Sequence, residues 1–272
     1  MIIVLLALLG VALGSFVNAL VWRVYQQSKQ KKRAKNTDYS ITKGRSMCPR
    51  CKHVLRAADL VPVLSWIFLK GRCRYCKKSI SWQYPLVELA CSALFVISYI
   101  YWPLQLSGGA SYVLLGLWLV IVTIGLALFV YDFKWMLLPN TMVYPFIALS
   151  ILFSILRFAI YEGSVLDLTL APLVYWVFFY TLYQISKGKW IGGGDVRLVF
   201  GLGSLLGLAG SLLGLTLAAY LGTFVIVILY VMGRYHKKMK LPFGPFLLSA
   251  TFVTFMWGQY VIDWYLRISG MK

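Results

Sequence analysis

Long apolar runs, basic residues confined to alternate loops, and two C-x-x-C pairs in the longest loop predict an all-α polytopic membrane protein. The chain should have about eight transmembrane helices, an N-out/C-out topology and a small cytoplasmic zinc-binding domain between helices 1 and 2. Hydrophobic residues make up 60% of the 272, and Asp and Glu number only 8 against 27 Lys and Arg. Crossing a hydrocarbon core of ~30 Å takes about 20 mostly apolar residues. Eight segments qualify: 1–22, 85–102, 112–131, 138–157, 168–185, 196–208, 210–232 and 243–264. The sixth is short and must tilt little or lean on its neighbours. Its boundary with the seventh falls in the Gly/Leu-rich stretch around Gly207 to Gly214.

Orientation follows from loop charge. Segment 23–84 holds 16 of the 27 basic residues, and the loops around Lys134, Lys187 to Arg197 and Arg234 to Lys240 hold 8 more. The opposite loops keep only Arg157, Arg267 and Lys272. Basic loops stay in the cytoplasm, so both termini are expected outside. The first apolar run lacks a basic stretch before it and carries one after it, the arrangement of an N-out anchor rather than a cleaved signal. The net charge of +19 is read as topology and attraction to anionic membrane lipids, not as nucleic-acid binding.

The loop 23–84 is the only segment large enough for a soluble domain. Its start, Gln26 to Tyr39, is polar and basic and reads as a helical extension or an arm. Its middle carries Cys48-Pro49-Arg50-Cys51 and Cys73-Arg74-Tyr75-Cys76, two C-x-x-C pairs separated by 21 residues. That spacing suits a zinc ribbon, in which each pair forms a knuckle and four thiolates close a tetrahedron. Two disulfides fit poorly with a reducing compartment. Arg50, Lys52, Arg72, Arg74 and Lys77 would offset the negative charge of four thiolates. Four protein ligands leave no open position, so Cys48, Cys51, Cys73 and Cys76 are expected to hold a structural ion whose binding folds the loop. Cys91, inside the second span, reads as a small buried apolar residue.

Acid is rare here, and two acids stand at span edges on the same expected face. Asp132 closes the third span, and Asp195 follows Gly192-Gly193-Gly194 just before the sixth. Ionisable groups at membrane helices are costly and mark functional sites. Glycines 192 to 194 remove side chains, so another chain could pass close to the backbone there. Pro139 suits the start of the fourth span. Two carboxyl groups within a few ångströms share one proton, so one can activate water while the other protonates a scissile carbonyl or leaving amine. On spacing alone a bland account stays open: each aspartate neutralises Lys134 or Arg197, or Asp195 caps the sixth span.

These residues resemble the bacterial type IV prepilin leader peptidases, the GxGD-type aspartic proteases. The resemblance rests on Gly192-x-Gly194-Asp195, on Asp132 ahead of Leu138-Pro139, and on the double C-x-x-C loop after the first span. It extends through Gly14-Ser15-Phe16-Val17-Asn18, Arg23, Pro62-Val63-Leu64-Ser65-Trp66, Gly71-Arg72-Cys73, Tyr84-Pro85-Leu86-Val87-Glu88 and Pro242-Phe243-Gly244-Pro245-Phe246. The resemblance implies cleavage of the basic leader of type IV pilins and type II secretion pseudopilins at the cytoplasmic face of the bacterial inner membrane. Many members then methylate the new N-terminus with S-adenosylmethionine. Carried over, Asp132 and Asp195 are the catalytic dyad, Gly192, Gly193 and Gly194 the backbone loop beside substrate, and the four cysteines the zinc set. The chain then divides into a first helix (1–22), a zinc-binding, methyltransferase-associated domain (23–84) and a seven-helix peptidase domain (85–272). Two departures stand out: Asn140 after Leu138-Pro139, where an acid is common, and Gln83 before Tyr84-Pro85, where Arg is frequent. No Gly-rich Rossmann loop marks a site for the methyl donor.

Other polar residues have weighed roles. Asn18 and Ser15 share one helix face and either bond a neighbouring helix or reach the substrate or methyl-transfer site. Glu88 either pairs with the basic loop or lies near the leader or methyl donor. Glu162, Asp167 and Asp263 fall on the outer side, away from the dyad, and Trp102, Trp135 and Trp264 read as interfacial anchors. Two rivals use the same features differently. A non-enzymatic scaffold would dock an assembly partner through its zinc loop, and a transporter would relay ions through the aspartates.

Overall fold

The computed structural model describes residues 1–29, 39–41, 44–106, 108–161, 164–236 and 239–270. The described residues form eight α-helices and no strands: α1 (Ile2–Lys29), α2 (Leu64–Phe68), α3 (Gln83–Ile100), α4 (Gly109–Trp135), α5 (Asn140–Tyr161), α6 (Val165–Ser186), α7 (Gly193–Val231) and α8 (Gly244–Ile268). All except the single turn α2 are long and apolar enough to cross a membrane, which makes seven such helices. The chain divides into two compact units, Met1–Ile100 and Tyr101–Lys272.

In the first unit α1 packs on α3 through Gly10 and Gly14. A Cβ at either would lie 2.6 Å from backbone of the facing helix, at Ser92 and Glu88 respectively. Small residues four apart allow this approach where lipid supplies no hydrophobic drive between helices. The helical extension expected after the first span continues to Lys29; the rest of that arm, 30–38, lies outside the described residues, as does Glu162. Arg23 is buried, and its guanidinium donates to the carbonyls of Ile41 (2.9 Å) and Gly44 (2.8 Å), returning the chain to α1.

The second unit is a bundle of α4 to α8. Trp118, Phe153 and Phe255 form its aromatic centre, with Trp118 and Phe255 stacked at 4.0 Å. Trp102 belongs to this cluster, 5.8 Å from Phe255, with its indole nitrogen buried. Trp264 is 63% exposed.

The expected boundary between the sixth and seventh spans lies inside α7. Gly207 (φ 72°, ψ −177°) breaks that helix. Leu206 Cδ1 comes within 3.0 Å of the Cβ position of Gly214. Eight residues of unbroken helix would rise about 12 Å, so the chain folds back at Gly207. The free backbone groups at the break have partners: Asp167 Oδ1 accepts the Leu208 amide (2.8 Å), and Arg157 donates to the Leu205 carbonyl (3.3 Å). The first half of α7 is therefore short, about 21 Å. It is pressed against α5 and α6 at Gly201 and Gly203, where a Cβ would meet Phe146 at 3.1 Å and Pro172 at 2.9 Å.

Candidate active site

Asp132 lies one turn from the end of α4. The helix stops there because Met136 adopts a left-handed conformation (φ 53°) and its amide bonds the Asp132 carbonyl at 2.7 Å. Leu138-Pro139 follows, and Asn140 opens α5. Asp195 sits in the first turn of α7, behind an extended Gly192 (φ −74°, ψ 145°) that is the N-cap. The alternative that Asp195 itself caps the helix is therefore corrected: it occupies the third helical position, where the helix dipole favours an acid. Both aspartates are buried, 5% and 9% exposed.

The N-terminus of α8 joins them. A Cβ at Gly244 would stand 2.6 Å from Asp132 Oδ2 and 3.5 Å from Asp195 Oδ1. The two oxygens thus lie no further apart than about 6 Å, the sum of those distances, within reach of a proton passed directly or through one water. The Gly244 amide reaches Asp132 and the Gly192 amide reaches Asp195. Two helix N-termini, of α7 and α8, face the pair and favour a shared negative charge. Asp195 Oδ1 is buried without a hydrogen-bond partner among the described residues. Leaving such an atom unpaired costs about 1–3 kcal/mol.

The turn between α4 and α5 is fastened to the glycine loop. A Cβ at Gly194 would clash with Leu138 Cβ at 2.8 Å, so Leu138 fills the space that the missing side chain leaves. Arg197 donates to the Gly193 carbonyl (3.0 Å) and to Asn140 Oδ1. It therefore braces the loop instead of neutralising Asp195, and Lys134 lies over the Trp135 ring at 5.1 Å. The departure at Asn140 is a hydrogen-bonded contact in this chain.

In the first unit the four cysteines converge, their sulfurs all within 4.8 Å of one another. Cys48 and Cys73 are buried and Cys51 is exposed. The two pairs form matching knuckles. Lys52 and Lys77, each following the second cysteine, have positive φ (58° and 59°), and their amides bond the carbonyls of Cys48 (2.9 Å) and Cys73 (3.0 Å). Isolated antiparallel bridges, Met47 to Val54 and Arg72 to Ser79, close each loop. Tetrahedral Zn–S bonds of about 2.3 Å place sulfurs a little under 4 Å apart, and Cys48 Sγ to Cys76 Sγ is 4.0 Å. The donor set fits a four-coordinate metal ion. Burial opposes ionisation of Cys73, but the amides of Cys76 and Tyr75 outweigh it and hold that thiol down at about 7. Burial pushes Cys48 up to about 11. Arg74, expected to offset the thiolate charge, is paired with Asp59: its Nε bonds Asp59 Oδ1 at 2.6 Å.

Glu88 is 5% exposed and accepts the Val63 amide at 2.7 Å, with Ser15 also in reach. Of the two roles weighed for Glu88, pairing with the basic loop is not seen among the described residues; the carboxylate takes these neutral donors instead, and Val63 stands at φ 60°. Asn18, buried, donates to the Tyr84 carbonyl (3.1 Å) and accepts from Gln83 (3.3 Å). It ties α1 to the start of α3.

Residues 119–227 match the Type IV leader peptidase family, and residues 8–102 match the Bacterial Peptidase A24 N-terminal domain. A relative from Aeromonas salmonicida, the Prepilin leader peptidase/N-methyltransferase, is 30% identical, with 96% of this chain and 93% of the relative covered. The chain belongs to the type IV leader peptidase family. Proteins of the same name from Pseudomonas aeruginosa (28% identical, 97% of this chain and 93% of the relative) and Vibrio cholerae (34%, 75% and 78%) are also similar. No solved structure matches the chain.

In this family member one motif residue to which the sequence assigned no role, Gly244, stands beside the aspartates. Gly244 carries no chemistry of its own, and its signal was only a glycine between two prolines at the head of the last span. The structure brings Asp132, Asp195 and the glycine loop together in the second unit, while the cysteines, Glu88 and Asn18 belong to the first.

Proposed function

We propose that this peptidase is an intramembrane aspartic endopeptidase that removes the leader of type IV prepilins and pseudopilins at the cytoplasmic face of the bacterial inner membrane, with Asp132 and Asp195 as its dyad. The observation that carries this reading is the position of Gly244, against Asp132 Oδ2 and near Asp195 Oδ1. The pair titrates as a unit and holds one proton between its carboxyl groups. The ionised carboxylate takes a proton from water as the water oxygen attacks the scissile carbonyl, and the protonated carboxyl gives its proton to the carbonyl oxygen. The tetrahedral diol then collapses: the C–N bond breaks as the amine receives the first proton, and a diol hydroxyl returns its proton to the other carboxylate. The unpaired Asp195 Oδ1 is the atom at which the shared proton or the water is held.

A prepilin is itself a helix with a basic leader, so it would reach the dyad laterally through the bilayer, its junction lying along the backbone of Gly192 to Gly194. The confinement of 24 of 27 basic residues to one set of loops supports the cytoplasmic placement of this end. Cys48, Cys51, Cys73 and Cys76 would hold Zn²⁺ as a closed structural site that folds the 23–84 domain. The names of the relatives support a second activity, methylation of the new N-terminus, for which S-adenosylmethionine supplies the methyl group. Glu88 and Asn18 belong to this unit and are buried polar residues on either side of the 23–84 loop.

The test is incubation of the full chain in liposomes with a prepilin-like substrate and S-adenosylmethionine, with product masses read by mass spectrometry. Leader loss plus a methyl-sized increase is the expected result. A cleaved, unmethylated product would remove the second activity, and an intact substrate would remove both.

A further inference from the structure

We propose that the metal-knuckle loop docks on the membrane surface from which α1 and α3 emerge, binding anionic phospholipid headgroups in a basic groove beside an inserted apolar turn. The groove, of about 380 Å³, is lined by Leu69, Lys70, Arg72, Cys73, Arg74 and Lys77. Arg74 is engaged by Asp59, whereas Lys70, Arg72 and Lys77 are exposed and have no acidic partner among the described residues. Three uncompensated cations around one groove offer a phosphate what it needs.

The apolar part adjoins the groove. α2 is one helical turn whose inner residue is Trp66, packed on Trp82 at 4.2 Å and bonded through its indole nitrogen to the Ile80 carbonyl. Gly71 at φ 65° makes room for it, since a Cβ there would strike Trp66 at 2.9 Å. With Trp66 turned in, Leu64, Ile67 and Phe68 share the outer face and are 52%, 56% and 80% exposed. Leu60 and Val61, just before them, are also exposed.

A contiguous apolar patch next to a basic one, on a loop of a polypeptide otherwise buried in lipid, is the pattern of an interfacial segment. Two further observations select the lipid surface as its occupant. Trp82, 66% exposed, stands one residue before α3, so the patch continues into the level at which that span enters the bilayer. The exposed charge around the groove is all positive, which suits anionic headgroups and repels a basic leader peptide.

The experiment uses the full chain in lipid nanodiscs with Phe68→p-benzoylphenylalanine, an exchange at an exposed site. Adducts formed on irradiation are identified by mass, and a monodisperse elution with Cys48 and Cys73 protected from alkylation verifies the fold. In nanodiscs containing phosphatidylglycerol the expected product is a lipid adduct. Its yield should fall severalfold in pure phosphatidylcholine, and about fivefold for each of Lys70→Gln and Arg72→Gln introduced beside the probe. Equal lipid yields in both nanodiscs, adducts only to peptides of the chain itself or to another protein, or no adduct from the folded chain would overturn the proposal.

Discussion

Gly244 is packed against Asp132 so closely that a single methyl group at position 244 would lie 2.6 Å from the Asp132 Oδ2 atom. The first residue of α8 thereby fixes where that carboxylate can stand. Because α8 begins there, its amide also points at the acid.

Replacing Gly244 with Ala should push the Asp132 carboxylate out of register with Asp195. A displacement of about 1 Å in such a pair can cost ~100-fold in rate. Leader cleavage by Gly244→Ala should fall to that extent while the chain keeps its helical content and elution volume; a fully active variant would show that the close contact is not part of the site.

Arg197 ties the glycine loop to the head of α5. Hydrogen bonds to charged groups contribute about 1.5–3 kcal/mol, so Arg197→Ala should lower stability by that order and slow cleavage. Arg197→Lys should rescue little, because an ammonium lacks the planar fork that reaches two acceptors at once. Thermal unfolding in detergent alongside cleavage rates measures both.

Asp59 links the second cysteine knuckle to the 3₁₀ turn Ala57–Asp59. Burial alone would raise its pKa, but hydrogen bonds from Arg74, the Arg56 amide and Tyr75 outweigh that and hold the carboxyl below its ordinary value. A lowered folded value means that the contribution is present above the unfolded pKa and disappears as pH falls through the folded one. Asp59→Asn should therefore weaken the loop at neutral pH and make no difference at strongly acidic pH, as read by proteolysis of segment 44–82.

Loss of one buried sulfur should unmake the metal site. Cys48→Ser or Cys73→Ser is expected to abolish stoichiometric metal in elemental analysis and to open the 44–82 loop to protease. Since the aspartates lie in the other compact unit, leader cleavage should persist and methylation should be the activity that disappears. Cleavage lost together with the metal would mean that the loop serves the peptidase directly.

Much of this was legible because charge is scarce in lipid. Asp132 and Asp195 announce themselves as acids at span edges, and four cysteines in paired spacing leave few other readings. The break in α7 was legible as a glycine-rich stretch, although Gly207 became identifiable as the turning point only once Leu206 was seen against Gly214. What stayed hidden depends on three-dimensional neighbours of residues that carry no periodic or charge signal. Glycine 244 works through the space it leaves, and glycine 194 through the space that Leu138 takes. For Glu88 the sequence left open pairing with the basic loop or a place near the leader or methyl donor, and the partner the fold offers it, the Val63 amide, carries no signal in the sequence. The ring contacts of Trp102 with Trp118, Phe153 and Phe255 likewise leave no trace in the sequence.

The central claim is that Asp132 and Asp195 act as one proton-sharing pair. The most direct measurement is leader cleavage in liposomes by Asp132→Asn, Asp195→Asn and the double variant, each verified as folded by thermal unfolding. Asparagine keeps the shape and removes the ionisable carboxyl. The account predicts that either single change abolishes cleavage and that the double change adds nothing further, as expected of residues that work as a unit. Substantial cleavage by either folded single variant would contradict it.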